Sequence, residues 1–162
     1  MENNNSALAK VLLALVTLAG ICLVGFLIFG KTNSALFGPQ FWAKATPDEI
    51  LQALKDGNER FSGGKSAYLH CDPTRIGLAG ASDQGYYAYA TVLSCSDSRV
   101  PVELIFDAGI MDLFVVRVAG NVCDTDEIGS IEYGLAHVKT PLLVILGHTR
   151  CGAVTAVSQT LA

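Results

Sequence analysis

Three short apolar runs constrain what this chain can fold into: AYATVL at 88–93, LFVVRV at 113–118 and LLVIL at 142–146. Each has strand length, and each is mostly continuous rather than alternating. A strand with one wet face alternates apolar and polar residues, whereas a continuous run belongs in a parallel sheet covered on both faces. The stretch between the second and third runs, 124–139 (DTDEIGSIEYGLAHVK), reads as a covering helix. Its acidic first turn and Lys139 in its last turn complement the helix dipole, and Thr140-Pro141 stops it. Strand, helix, strand in this order predicts a right-handed crossover and an open, mainly parallel α/β sheet flanked by helices. Upstream, Thr46, Pro47 and Glu49 form the N-cap, first-turn proline and reciprocal cap of an amphipathic helix ending near Ser62-Gly63-Gly64. Residues 65–85 lack a clear period and read as a loop with a short helix from Thr74.

The N-terminal region has a different character. Val11–Gly30 is a run of 20 residues without a charge, bracketed by Lys10 and Lys31. As a helix it would extend about 30 Å, the thickness of a bilayer's hydrocarbon core. It is longer than a signal-peptide core and no A-x-A site follows it, so an uncleaved transmembrane helix is favoured over a cleaved signal. The chain therefore divides into a membrane anchor or signal segment (1–31), a linker (32–45) and an α/β domain (46–162). With so short a leader, the domain is expected to be membrane-anchored and exported, periplasmic or extracytoplasmic, with a cleaved, secreted form as the alternative. The net charge is −4 and there is no basic run, which argues against a nucleic-acid partner.

SCSDSR (94–99) follows the first run, and GHTRCGAV (147–154) follows the third. Open parallel sheets bind ligands beyond the carboxyl ends of their strands, where the strand order reverses. If the first and third strands are neighbours, Cys95, His148 and Cys151 converge there. Two thiolates and an imidazole suit Zn²⁺, and three protein ligands leave the fourth tetrahedral position open, as in catalytic zinc sites. Asp97 alternates with Cys95 and faces the same spot, where it can accept a hydrogen bond from water on the metal. Arg99 can clamp Asp97 with its planar fork. Two other readings compete. A closed structural zinc would need a fourth ligand from His70, Cys71 or Cys123. A Cys95–Cys151 disulfide would leave His148, Asp97 and Arg99 unexplained.

The blocks SCSDSRVPVELIFDAGIMDLFVVRVAGNV (94–122) and GSIEYGLAHVKTPLLVILGHTRCGAV (129–154) closely resemble the β-class carbonic anhydrases. The likeness runs from about Thr46 onward. It implies zinc on Cys95, His148 and Cys151, the Asp97–Arg99 pair as catalytic residues, and reversible hydration of CO₂ to bicarbonate by zinc-bound hydroxide. It also implies a homodimer or higher oligomer, with a narrow apolar CO₂ pocket shared between subunits. Phe114 and Tyr133 match the family's pocket positions. The family commonly has Gln nine residues before the first zinc cysteine; here that position is Tyr86, and Gln84 lies two residues earlier. Val92, where the bicarbonate-inhibited subtype carries Trp, implies the simpler subtype. The family domain continues beyond Ala162, so 46–162 reads as incomplete at its C-terminal end. The rival functions are a related zinc hydrolase acting on CS₂ or COS and a membrane-anchored, non-catalytic homologue. His137 lies on the 124–139 helix and reads as structural, and Cys71 and Cys123 read as free thiols.

Overall fold

The computed structural model describes residues 45–160. The Val11–Gly30 run lies outside the described residues, and no helix among those described is long and apolar enough to cross a membrane. The first helix, α1 (Pro47–Ser62), begins at the predicted capping box. The Glu49 N–H donates to the Thr46 hydroxyl, and the Thr46 N–H donates to the Glu49 carboxylate. Ile50 and Leu54 are buried on one face of α1. Helix α2 (Pro73–Ala79) is capped by Asp72, which accepts from the N–H groups of Thr74 and Arg75.

Strand β1 (Ala90–Cys95) is followed by the short helix α3 (Val102–Ile105) and strand β2 (Leu113–Val118). Helix α4 (Thr125–Ala136), strand β3 (Leu143–Leu146) and helix α5 (Gly152–Thr160) complete the described chain. The sheet order is β2-β1-β3 and both pairings are parallel. The chain thus steps from β1 to one side, then returns to the other side for β3. The strand order reverses between β1 and β3, and their carboxyl ends share that point.

Strand β1 and helix α4 differ from the sequence expectation for local reasons, and β3 begins at Leu143, one residue late. The first strand spans 90–95 rather than 88–93 because the Ala88 N–H is bonded to Gln84 C=O in the preceding 3₁₀ turn. Pairing then extends through Ser94 and Cys95, which face β2 residues Arg117 and Val118. Helix α4 ends at Ala136, three residues before Lys139, because Lys139 takes a left-handed φ of 63°. There the Thr140 hydroxyl and N–H both donate to Gly134 C=O.

Burial is uneven across the sheet. All of β1 is buried, but on β3 Leu143 and Ile145 are exposed, so coverage of both faces holds for the central strand and not for this edge. Helix α4 lies close against β1 and β2 because Gly134 has no side chain. A Cβ there would collide with the Thr91 hydroxyl and the Phe114 ring.

Two buried aspartates tie the loops to this frame. Asp112 accepts from Arg75, from His70 Nδ1 and from the Gly109 N–H. Asp107 accepts from Arg60 Nε at 2.6 Å and from the N–H groups of Ala67 and Tyr68 at 2.9 and 3.0 Å. Burial pushes the Asp107 carboxyl up, but these donors outweigh it and hold the pKa below the usual value. A depressed folded pKa means that the stabilisation is complete above the unfolded value of about 3.9 and fades as pH falls through the lower folded value. Asp107→Asn is expected to lose on the order of 2 kcal/mol at neutral pH. Urea unfolding across pH should show that difference shrinking in acid; equal stability of parent and variant at neutral pH would contradict the role.

Candidate metal centre

β1 and β3 are hydrogen-bonded neighbours, with Ser94 opposite Leu146. The next residue of β1 is Cys95, and the segment leaving β3 carries His148 and Cys151. Cys95 and Cys151 are buried, and the His148 side chain is 10% exposed. Their donor atoms all lie within 4.8 Å of one another, so the structure brings together the three predicted ligands.

The two sulfurs are 3.8 Å apart. That is far longer than an S–S bond of about 2.05 Å, and both cysteines are free thiols, so the disulfide reading fails. It does match a shared metal: two Zn–S bonds of about 2.3 Å at a tetrahedral angle separate the sulfurs by roughly 3.8 Å. The His148 Nδ1–H donates to Thr149 C=O at 3.1 Å. That assignment leaves Nε2 as the lone-pair nitrogen. Nε2 is buried and has no hydrogen-bond partner, as befits an atom reserved for a cation. These observations fit Zn²⁺ held by Cys95, His148 and Cys151. Among the described residues, no fourth ligand joins the group. His70 is engaged by Asp112, and Cys71 and Cys123 are exposed free thiols.

Cys95 is prepared as a thiolate. Without a metal its pKa is lowered to about 6, first by hydrogen bonding with the protonated form of the His148 imidazole and then by the N–H groups of Asp97 and Gly120, against the effect of burial. Those N–H groups lie 3.4 and 3.2 Å from the sulfur. Gly120 sits in a tight turn, Ala119–Asn121, at φ 78°, a conformation that favours glycine. Val100, Ile105 and Ala153 pack around the two cysteines and strengthen local electrostatics by excluding water. Beside them runs an apolar groove of about 330 Å³ lined by Ala119, Val122, Ala153, Val154 and Val157.

Asp97 and Arg99 form the predicted clamp. Arg99 Nε donates to Asp97 Oδ1 at 2.9 Å, and a terminal nitrogen donates to Oδ2 at 2.7 Å. The Arg99 N–H adds a third bond to Oδ1 at 2.9 Å. Held first by the Arg99 side chain and then by this N–H, the carboxyl stays well below the usual carboxylate range. Asp97 Oδ2 stands 4.0 Å from His148 Nε2, outside the group of three ligands. Arg99 also donates to Arg150 C=O at 3.0 Å, which joins the two ligand loops.

Sequence reasoning missed two parts of this centre. One is the Gly120 N–H. The other is Arg117, which donates from Nε to Cys95 C=O at 3.0 Å and from a terminal nitrogen to Asp97 C=O at 2.7 Å. The signal for Arg117 was a single cation inside an apolar strand run. The three pocket residues implied by resemblance lie elsewhere in the chain. Phe114 pairs with Thr91, four residues before Cys95 and hence roughly 13 Å along the strand. The Tyr133 ring is 5.9 Å from Phe114 and 5.2 Å from His137. Gln84 opens the turn in which Gly85 approaches Val138.

Residues 90–162 match the family model described as carbonic anhydrase. Carbonic anhydrase 2 of Mycobacterium tuberculosis is 47% identical over 111 residues, which cover 68% of this chain and 52% of that protein. The chain belongs to the β-carbonic anhydrase family. A second relative in the family, the carbonic anhydrase of Mycolicibacterium smegmatis, is 45% identical over 118 residues, covering 72% of this chain and 55% of its own length. The chain spans about half the length of these curated carbonic anhydrases. Among solved structures, the β-carbonic anhydrase CafA of Aspergillus fumigatus aligns at 26% identity with a TM-score of 0.49, over 67% of this chain and 51% of that one.

The purified chain is expected to carry zinc in proportion to protein, and Cys95→Ser to lose it on dialysis. Metal analysis of the two proteins checks this; parental zinc content in the variant would refute the assignment.

Proposed function

We propose that this chain hydrates CO₂ reversibly to bicarbonate and a proton. The observation that carries the reading is a three-ligand Cys, His, Cys cluster with a clamped carboxylate beside it and no fourth protein ligand among the described residues. Zinc, when bound there, supplies Lewis acidity and lowers the pKa of a water ligand toward neutrality.

The chain's own residues supply the rest. Asp97 is ionised and therefore acceptor-only. It would accept a hydrogen bond from the attacking oxygen and so turn a lone pair of that oxygen toward the carbon. Arg99 occupies both carboxylate oxygens of Asp97 and so keeps it from closing the metal site itself. The apolar groove beside Cys95 and Cys151 suits a substrate with no net dipole. A second copy of the chain completes the pocket in this reading. Phe114, Tyr133 and Gln84 are remote from the metal within one chain and would serve the site of a partner, so the active unit is at least a homodimer. The uncharged Val11–Gly30 run supports a further part of the proposal: an N-terminal anchor that holds an exported domain at the membrane.

Two tests follow. Asp97→Ala is expected to keep its zinc while turnover falls roughly a hundredfold, the cost of losing orientation at the reacting centre. Stopped-flow CO₂ hydration with a pH indicator measures this, and unchanged turnover would remove Asp97 from the mechanism. Parallel assays with COS and CS₂ show which carbon is the preferred target. In cell fractions, the full chain is expected to stay in the membrane pellet through alkaline carbonate washing, and deletion of residues 1–31 to release it. Release of the full chain would contradict the anchor.

A further inference from the structure

The β ladder cannot by itself hold the turn that carries Cys95 and Asp97. Backbone pairing reaches Ser96, whose N–H donates to Val118 C=O at 3.1 Å. Beyond Val118, β2 bends into the Ala119–Asn121 turn, which aims the Gly120 N–H at the Cys95 sulfur. That bend takes the backbone of β2 away from the next residues of the β1 segment. The carbonyls of Cys95 and Asp97 then receive hydrogen bonds from one side chain instead. Arg117, opposite Ser94 in the register, reaches along the neighbouring strand and spans both.

We propose that Arg117 is a positioning residue of the metal centre: its guanidinium fixes the Cys95-Ser96-Asp97 turn, so that the thiolate and the carboxylate stay aimed at one point. The proposal rests on the zinc reading above. Three observations carry it. The two accepting carbonyls belong to the residue that supplies the thiolate and the residue that supplies the clamped carboxylate. Arg117 makes no ion pair among the described residues, so its charge is not spent neutralising a nearby acid. Arg117 is also exposed, so it is not there to fill the core. A planar fork can present Nε and a terminal nitrogen to two carbonyls at once, whereas a lysine ammonium is a point charge without that geometry. Arg99 works on the other side of the same turn, on the Asp97 carboxylate and on Arg150 C=O. Together the two arginines hold the turn by its backbone and by its side chain.

The test uses the full chain with Arg117→Met, which keeps the stem and removes the donors, and Arg117→Lys. Zinc transfer to a chromophoric chelator gives the release rate, and the visible and near-ultraviolet spectrum of the Co²⁺-substituted protein reports thiolate coordination. Loss of a partner that orients metal ligands typically weakens metal affinity tenfold to a hundredfold. Arg117→Met is therefore expected to release zinc at least about tenfold faster than the parent, with weakened or shifted thiolate-to-cobalt bands. Arg117→Lys should fall between the two. Parental release rates and cobalt spectra in Arg117→Met would overturn the proposal. If Arg117→Met does not fold by circular dichroism, Arg117→Lys decides, and parental behaviour there overturns it equally. Both readouts are independent of turnover. A parent that holds zinc without hydrating CO₂ contradicts the hydratase activity, whereas unchanged release from the variants contradicts the role of Arg117.

Discussion

Parallel pairing of β1 with β3 brings together two segments 56 residues apart in sequence and places a sulfur from each 3.8 Å from the other. Two thiolates at that spacing, shielded by Val100, Ile105 and Ala153, repel strongly unless a cation lies between them. The same pairing sets the direction of the two loops that leave the strand ends, and both turn toward the shared point. One loop carries Cys95 and Asp97; the other carries His148 and Cys151. A shift of register by a single residue would turn the Cys95 side chain to the opposite face of the sheet. The centre is therefore a consequence of register first and of side-chain chemistry second.

That chemistry divides the labour. Cys95 is stabilised as an anion by two backbone N–H groups aimed at its sulfur. His148 has one ring nitrogen committed to Thr149 and the other left bare. Asp97 stays charged, with Arg99 bonded to both of its oxygens, and its Oδ2 stands 4.0 Å from His148 Nε2. Arg99 links both ligand loops, and Arg117 links the first loop to β2. The groups that would coordinate the metal are held by groups that would not.

Much of this was legible in the sequence because it depends on periodicity and local spacing. Continuous apolar runs marked all three strands, with β2 at its observed limits. The Thr46 to Glu49 pattern marked the start of α1. H-x-x-C at 148–151 and the alternation of Cys95, Asp97 and Arg99 marked the centre, on the condition that β1 and β3 are neighbours, which they are. What escaped depends on tertiary geometry. Arg117 and Gly120 act on Cys95 from a different strand segment, so their roles exist only once register is set. The early end of α4 follows from the backbone at Lys139, and the late start of β1 from a hydrogen bond back to Gln84. The exposure of Leu143 and Ile145 on β3 was equally invisible, because a continuous apolar run looks the same whether one face is covered or both. Phe114, Tyr133 and Gln84 could be assigned only by likeness, and their distance from the metal ligands is a fact of the fold that spacing along the chain does not reveal.

X-ray absorption at the zinc edge tests the account most directly. The geometry predicts a four-coordinate first shell with two sulfurs at about 2.3 Å, and one imidazole nitrogen and one further light atom at about 2.0–2.2 Å. A four-sulfur shell, or a shell with one sulfur or none, would contradict the convergence of Cys95, His148 and Cys151 on a single metal.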